Sequence, residues 1–395
     1  MNFPNLPQRF DLSEAEAIIS VLMSNKLWPY PVDDVEGHVN KATELLKEYF
    51  GVPYVVTTSS GTASIHTALA GLKIKAGSEV ILPAITDAGS ITPVIAQNAI
   101  PVFADVDPLT SNITAETIAP CINKNTSAVI VVHLAGCPVD MNPIVKLCED
   151  SGICLVEDAA QALGALYNGK LVGTIGDAGC FSLNDQKHIT CGEGGFVTFK
   201  SEEAFFEGHN FHDKYYDRHN RGVRYNGLGL NYRMSELEGA LVQCQLPKLF
   251  NIVLQRRALG NLLSKLLLSI KGITPQRLGE HAEHSYFFYM FRFDPNVIKR
   301  SRKDIIDFLV ANGIKARGGY VDKPLYATNL FQRKSFFHGG VWPAEILANR
   351  IINYDIHLPH TEAANSTTIS FSFHQGLTEQ NIQEIFEIIR DSVVS

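Results

Sequence analysis

Apolar residues follow two rhythms along this chain, and the change between them falls near Pro247. Ahead of it, helical repeats alternate with short apolar runs. Residues 39–50 carry Ala42, Leu45, Leu46 and Phe50 on one face, the spacing of an amphipathic helix. Residues 52–56 then read as a strand and residues 61–72 as the next helix. Residues 79–82 form a short strand stopped by Pro83. Residues 100–104, 128–133 and 153–157 are β-branched apolar runs, with helical patterns such as 142–150 between them. Buried strands separated by helices predict βαβ units and a mostly parallel sheet covered on both faces. Beyond Pro247 the elements change. A helical pattern over 233–268 is expected to kink or break at that proline. Residues 285–293 are aromatic-rich and read as a strand. Residues 302–312 form a helix closed by Gly313. Residues 367–373 read as a strand, and 379–390 as a helix capped by Thr378 with Ile382, Ile385, Phe386 and Ile389 on one face. The expectation is an α/β protein with a large domain over 1–245 and a smaller α/β domain over 246–395. Neither an internal repeat nor a low-complexity segment is visible.

Composition narrows the partners. A chain of 395 residues, 45% hydrophobic and 19% charged, can bury a sizeable core. No run approaches the roughly 20 apolar residues of a membrane span. Residues 1–10 lack the basic start and apolar stretch of a secretory signal. A net charge of −7 argues against nucleic acid as the main partner, since phosphate binding needs a basic face. Seven scattered cysteines without CxxC pairs favour reduced thiols and a cytoplasmic setting, most of them acting as small buried hydrophobes. No Cys/His spacing suits zinc, and no metal is expected. His209, His212 and His219 read as loop residues near the site rather than ligands.

Open parallel sheets bind ligands beyond the carboxyl ends of their strands, and four segments fall there. Thr57-Thr58-Ser59-Ser60-Gly61-Thr62 lies between a strand and a helix, where free N–H groups and the helix dipole suit a phosphate. Taken alone it reads more readily as an ordinary Ser/Thr cap. Glu157-Asp158-Ala159-Ala160-Gln161 closes an apolar strand and sets a carboxylate against any ligand, or a cap on the next helix. Beside a pyridine nitrogen such a carboxylate would keep that nitrogen protonated. In the third segment, Lys187 sits between the apolar strand ending at Ser182 and the turn Gly192-Glu193-Gly194-Gly195. A lysine becomes an amine nucleophile only when desolvated, and an isolated lysine is usually a surface residue. The fourth, Gly229-Leu230-Asn231-Tyr232-Arg233-Met234-Ser235, reads alone as a plain helix start.

In this order the four segments resemble the DegT/StrS family of sugar aminotransferases, from about Asp33 to the C-terminal helix. That pattern is a Ser/Gly-Thr phosphate loop, D-x-x-Q/H after a strand, S-x-x-x-x-K followed by E-G-G, and G-x-N-x-R-M at a helix start. The resemblance implies the fold of type I pyridoxal-phosphate (PLP) transferases, PLP as cofactor, and amination of a keto-sugar, sugar acid or cyclitol by glutamate or glutamine. It implies Lys187 as the lysine that holds PLP as a Schiff base and Asp158 as the partner of the pyridine nitrogen. Gln161 matches the residue near O3′. Ser60, Gly61, Thr62 and Ser182 match the phosphate loop. Asn231 matches a residue lent to the neighbouring subunit's phosphate, which implies a homodimer with shared sites.

One departure and one check of register bear on the substrate and the reaction. The family places a ring-stacking aromatic after P-x-x-T, whereas Pro83-Ala84-Ile85-Thr86 is followed by Asp87. Some relatives carry histidine for the lysine and dehydrate keto-sugars. Here counting from Ser182 and Glu193 puts Lys187, not His188, at that position, and PLP-dependent dehydration stays as an alternative, as does a non-catalytic sensor or scaffold. Asp87, His188, Arg224 and Tyr320 are the candidate substrate contacts. Trp28-Pro29-Tyr30-Pro31 and the loop 209–224 are expected to border the pocket, with Arg218, Arg221 and Arg224 suited to a carboxylate or phosphate or forming only a solvated basic loop. The surroundings of Cys191 are similar to enzymes that aminate an 8-keto-octulosonate. The segment 133–141 is shared more widely, with inosose aminotransferases among others.

Overall fold

The computed structural model describes residues 3–29, 36–216, 227–339 and 341–394. The first nine strands are β1 (Tyr54–Thr58), β2 (Glu79–Pro83), β3 (Ile100–Ala104), β4 (Thr126–Val132), β5 (Cys154–Asp158), β6 (Leu166–Tyr167), β7 (Lys170–Leu171), β8 (Ala178–Ser182) and β9 (Gly195–Phe199). Seven of them form one sheet in the order β1-β9-β8-β5-β4-β2-β3. Only β9 runs against the rest, pairing antiparallel with both β1 and β8. The six parallel strands therefore end on one side of the sheet.

Helices cover both faces, as the unbroken apolar strands require. On one side lie α1 (Leu12–Ser24), which packs on α8, and α2 (His38–Phe50). The crossovers use α3 (Gly61–Gly71), α4 (Ala88–Ala96), the short α5 (Ala115–Ile118), α6 (Met141–Ser151) and α7 (Glu202–His212). Then follow α8 (Glu236–Gln245) and α9 (Leu249–Leu267). Strand residues alternate between two cores. Val129, Val131 and Leu155 join α2, α6 and α8, while Ala128, Ile130 and Val156 join α3 and α4.

Past α9 the chain builds β10 (Ile273–Pro275), β11 (Ala282–Glu283), β12 (Phe288–Phe293), β13 (Ala316–Gly318) and β14 (Thr368–Ser372). β10-β12-β14-β13 form an antiparallel sheet, and β11 pairs with β6 beside β7. This second sheet packs with α9, α10 (Arg302–Ala311) and the final helix, residues 379–394. Between them come α11 (Asn329–Gln332), α12 (Pro343–Ala348) and α13 (Pro359–Thr367), which makes the final helix α14 (Glu379–Val394). Tyr326, Phe331 and Tyr354 return to the main sheet and pack around Phe103, with Trp342 behind Tyr354.

The differences from the sequence expectation are local and have causes. β1 starts at Tyr54, not Val52, because Val52 N–H closes the end of α2 on Lys47 at 3.1 Å. The 233–268 helix begins only at Glu236, behind a capping box of Ser235 and Glu238, and breaks at the 3-10 turn Leu246–Lys248 that holds Pro247. β12 begins at Phe288, because the N–H groups of Ser285 and Phe287 bond instead to Gly136 and Ala135 in the turn after β4. His209 and His212 lie on α7 rather than in a loop, and His219 lies outside the described residues. β9 was hidden behind the glycine turn.

Candidate active site

The carboxyl ends of β1, β2, β5 and β8 open on a cavity of about 1040 Å³. Lys187 reaches it from the loop after β8. That loop is held by Leu183 N–H on Gly194 O at 2.8 Å, by Cys191 N–H on Leu183 O at 3.0 Å, and by a bridge between Asn184 and Gly192. Gly192 turns it at φ +90°, a left-handed conformation that side chains disfavour. Lys187 Nζ stands 4.4 Å from the ring centre of Phe287. Burial holds this amine below the ordinary lysine range, against the carboxylates of Asp158 and Asp87, which raise it.

Asp158 ends β5 and is 5% exposed. Its Oδ2 accepts from Ser90 Oγ at 2.6 Å and its Oδ1 from Ala160 N–H at 3.1 Å. Thr86 Oγ1 bonds Ser90 Oγ at 2.7 Å, one turn back. Burial raises the carboxyl; the two hydrogen bonds and Lys187 oppose that shift. Its neighbour Glu157 points to the other face of the sheet. There it accepts from Gly173, Ile175 and Gly176 N–H, each at 2.7 Å, and from His133 Nε2 at 3.1 Å. Val139 N–H donates to His133 Nδ1, so the imidazole proton lies on Nε2. Glu157 is therefore occupied in holding β5 in place.

At β1, Ser60 caps α3 by accepting from Ala63 N–H at 3.0 Å. The first-turn N–H groups of Gly61 and Thr62 have no acceptor within the helix. A Cβ on Gly61 would lie 2.7 Å from Ser182 Cβ, so only glycine lets β8 approach this helix start. Gln161 Oε1 accepts from Ala135 N–H at 2.8 Å, which fixes its side chain at the cavity wall. Asp87 caps α4 through Gly89 N–H at 2.8 Å, and Tyr320 donates to its second oxygen at 3.3 Å. Tyr320 in turn stacks on Phe288 at 5.4 Å.

Lys187, Asp158, Ser60, Gly61, Thr62, Gln161, Ser182, Asp87 and Tyr320 thus line one cavity. Other candidates do not. His188 is 0% exposed and outside the cavity, with Nε2 on Ser285 O at 3.0 Å. Burial pushes its pKa well down, so it is a neutral packing residue and not a substrate contact. The dehydration alternative rested on this histidine and on the divergence of the family it resembles, and it loses the first of these supports. Asn231 is exposed, bridged to Asp213, and does not line this chain's cavity. Trp28 and Pro29 do not line it either. Arg218, Arg221, Arg224, Tyr30 and Pro31 lie outside the described residues. Sequence reasoning missed Ser90, whose only signal was its helical spacing from Thr86. It also missed Phe287 and the N-terminal residues 3–6, which carry no local signal.

Residues 35–390 match the model of the DegT/DnrJ/EryC1/StrS aminotransferase family. The 3-amino-5-hydroxybenzoate synthase of Amycolatopsis mediterranei is 30% identical, over 99% of this chain and 97% of its own. The L-glutamine:2-deoxy-scyllo-inosose aminotransferase of Streptomyces fradiae is 33% identical, over 79% of this chain and 75% of its own. The X-ray structure of an aminotransferase from Psychrobacter cryohalolentis superposes with a TM-score of 0.85 at 29% identity, covering 98% of each chain. With the sheet, the cavity and the match in agreement, the chain belongs to the DegT/DnrJ/EryC1/StrS aminotransferase family and is an enzyme that works with pyridoxal 5′-phosphate.

Proposed function

We propose that this enzyme moves an amino group from glutamate or glutamine to a keto group of a sugar, sugar acid or cyclitol, as a cytoplasmic homodimer, with Lys187 as the residue that bears the cofactor. The observation that carries the reading is the pairing, in one cavity, of a desolvated lysine with a buried carboxylate.

The residues present fit the cofactor. The cradle between Gly61 and Ser182 is closed to any side chain at position 61, and its N–H groups and hydroxyls suit a phosphate. Across the cavity, Asp158 offers a carboxylate suited to a protonated ring nitrogen. Pyridoxal phosphate, when bound, supplies an electron sink for the carbon that loses its proton. Lys187 supplies the base. Its depressed pKa keeps a larger share of free amine near neutral pH, able to take and hold the proton from the donor's α-carbon. Asp158 would hold the ring-nitrogen proton of the bound cofactor, and Ser90 and Ala160 hold Asp158. Asp87 and Tyr320 form the polar wall open to substrate. Asn231, exposed on this chain, is assigned to the phosphate of a second copy. Leu12 and Met23 of α1, 77% and 79% exposed, offer apolar area for such a copy to cover.

Among the described residues no helix is long and apolar enough to cross a membrane. The name of the Streptomyces fradiae relative, which pairs L-glutamine with 2-deoxy-scyllo-inosose, supports a keto-cyclitol within this substrate class.

Incubating the holoenzyme with a panel of keto-sugars and keto-cyclitols, each with glutamate and with glutamine, tests the reading. Aminated product from one member is expected. Tight PLP binding with no amination across the panel would sink the substrate class, and a deoxygenated product would sink the reaction type. A finer test is Ser90→Ala. It removes the shorter of the two hydrogen bonds to Asp158, and bonds to charged groups contribute about 1.5–3 kcal/mol. PLP affinity is expected to fall roughly tenfold or more by that magnitude, read by equilibrium titration of the visible band. Unchanged affinity would remove Ser90 from the support of Asp158.

A further inference from the structure

The match to the family model begins at residue 35, yet the chain ahead of it reaches the cavity. Residues 3–6 line the cavity's outer wall. They are tied to the segment just after β14, where His374 Nε2 meets Pro4 O at 3.1 Å and the Phe3 ring stands edge-on to His374. Three residues further on, Arg9 crosses beneath the lysine loop. Its side chain is 7% exposed. Nη1 donates to the carbonyl oxygen of Lys187 itself at 2.9 Å. Nη2 donates to the Asp185 carboxylate at 2.7 Å and also to the Asp185 carbonyl.

Arg9 is anchored in turn. Gln245 Nε2 donates to its carbonyl at 2.9 Å and to Glu14 Oε1 at 2.6 Å. The other end of the same amide, Oε1, accepts from Thr190 N–H at 3.4 Å. Lys248 bonds both Asp11 and Glu14, at 2.8 and 2.5 Å. The loop from Asp185 to Thr190 is thus gripped near both ends by the N-terminal segment and the end of α8. The backbone of Lys187 is held from two sides, its N–H by Asn184 O at 2.9 Å and its carbonyl by Arg9.

This matters because a lysine side chain is long and flexible, and its amine is useful only where the main chain presents it. A buried guanidinium fork across two consecutive-turn carbonyls sets that main chain in a way a single ammonium cannot. We propose that Arg9 is a positioning residue for Lys187, and that the N-terminal segment is a working part of the active site. The inference rests on the reading of Lys187 as the cofactor-bearing amine.

The test compares the wild type with Arg9→Met, Arg9→Lys and Asp185→Asn. Two quantities decide it. One is the split between kcat and KM for the holoenzyme on its keto substrate. The other is the labelling rate of Lys187 by an amine-reactive reagent in cofactor-free protein at fixed pH, read peptide by peptide. Arg9→Met is expected to lower kcat roughly tenfold or more with KM little changed, as displacement of a catalytic group by a fraction of an ångström to one ångström does. Labelling of Lys187 is expected to rise several-fold while other lysines keep their rates. Arg9→Lys should recover part of both effects. Asp185→Asn, which leaves Arg9 in place, should give a smaller change of the same sign and carries the test if Arg9→Met does not fold. Wild-type kcat and labelling in Arg9→Met overturn the inference. So does a uniform rise at every lysine, which marks general loosening. Lys187→Ala separates the two layers: if it keeps the cofactor's visible band, the reading of Lys187 fails; if it loses the band while Arg9→Met stays wild type, only the present inference fails.

Discussion

Lys187→Ala is expected to abolish the visible absorption of lysine-bound cofactor and to lower kcat by roughly 10⁴-fold, near the upper end of what one acid–base group supplies. The magnitude follows from two tasks falling on one atom. Lys187 Nζ is the amine in the cavity set over Phe287 and facing two carboxylates, Asp158 and Asp87. Burial lowers its pKa and so favours the free amine, and the adjacent His188 is not placed to take over, since it faces the protein interior and bonds Ser285. The fold should survive, because the loop is held by main-chain bonds at Leu183 and Cys191 and by Arg9 on the carbonyl of residue 187, none of which uses the lysine side chain. Absorbance of the purified variant and single-turnover kinetics check this. Full turnover in the variant would remove Lys187 from the mechanism.

Asp158→Asn is expected to lower kcat by about 10²–10³-fold, the loss typical of removing one preorganised electrostatic group. The change is nearly isosteric, so what it removes is charge. The carboxylate is buried, and the chain Thr86–Ser90–Asp158 together with Ala160 N–H stabilises it in the charged form. An amide in that place cannot hold a proton on a ring nitrogen. Its NH₂ group would also face Ser90 Oγ, which can turn from donor to acceptor and so keep the packing. The variant should therefore bind PLP more weakly yet unfold at a temperature close to wild type. Stopped-flow absorbance of the half-reaction with glutamate, set beside a thermal melt, distinguishes the cases. A variant with undiminished half-reaction rate would mean that the ring nitrogen needs no charged partner here.

Much of this site was legible before any coordinates. Ser182, Lys187 and Glu193 are close in sequence, and a strand followed by a tight glycine turn leaves little freedom in where the lysine points. Asp158 and Gln161 follow β5 by the same logic, and Ser60 to Thr62 follow β1. Each is a short-range pattern at a strand end, and a parallel sheet gathers strand ends on one side. The choice between Lys187 and His188 was also a matter of register, and the two adjacent side chains do face opposite ways.

What the sequence by itself determined is the set of local arrangements: the alternation of strand and helix, the cap at Ser60, the lysine loop, and through their order the family. Only the tertiary structure decided which distant groups serve them. Ser90 reaches Asp158 across 68 positions and Arg9 reaches Lys187 across 178. Asp87, which breaks the family pattern, meets Tyr320 from the bend after β13. The physical reason is the range of the interactions. Periodicity, capping and turn chemistry act within a few residues and leave marks that a sequence shows directly. Hydrogen bonds between elements depend on how the sheets and helices pack, and a serine or an arginine looks the same in sequence whether or not a partner arrives.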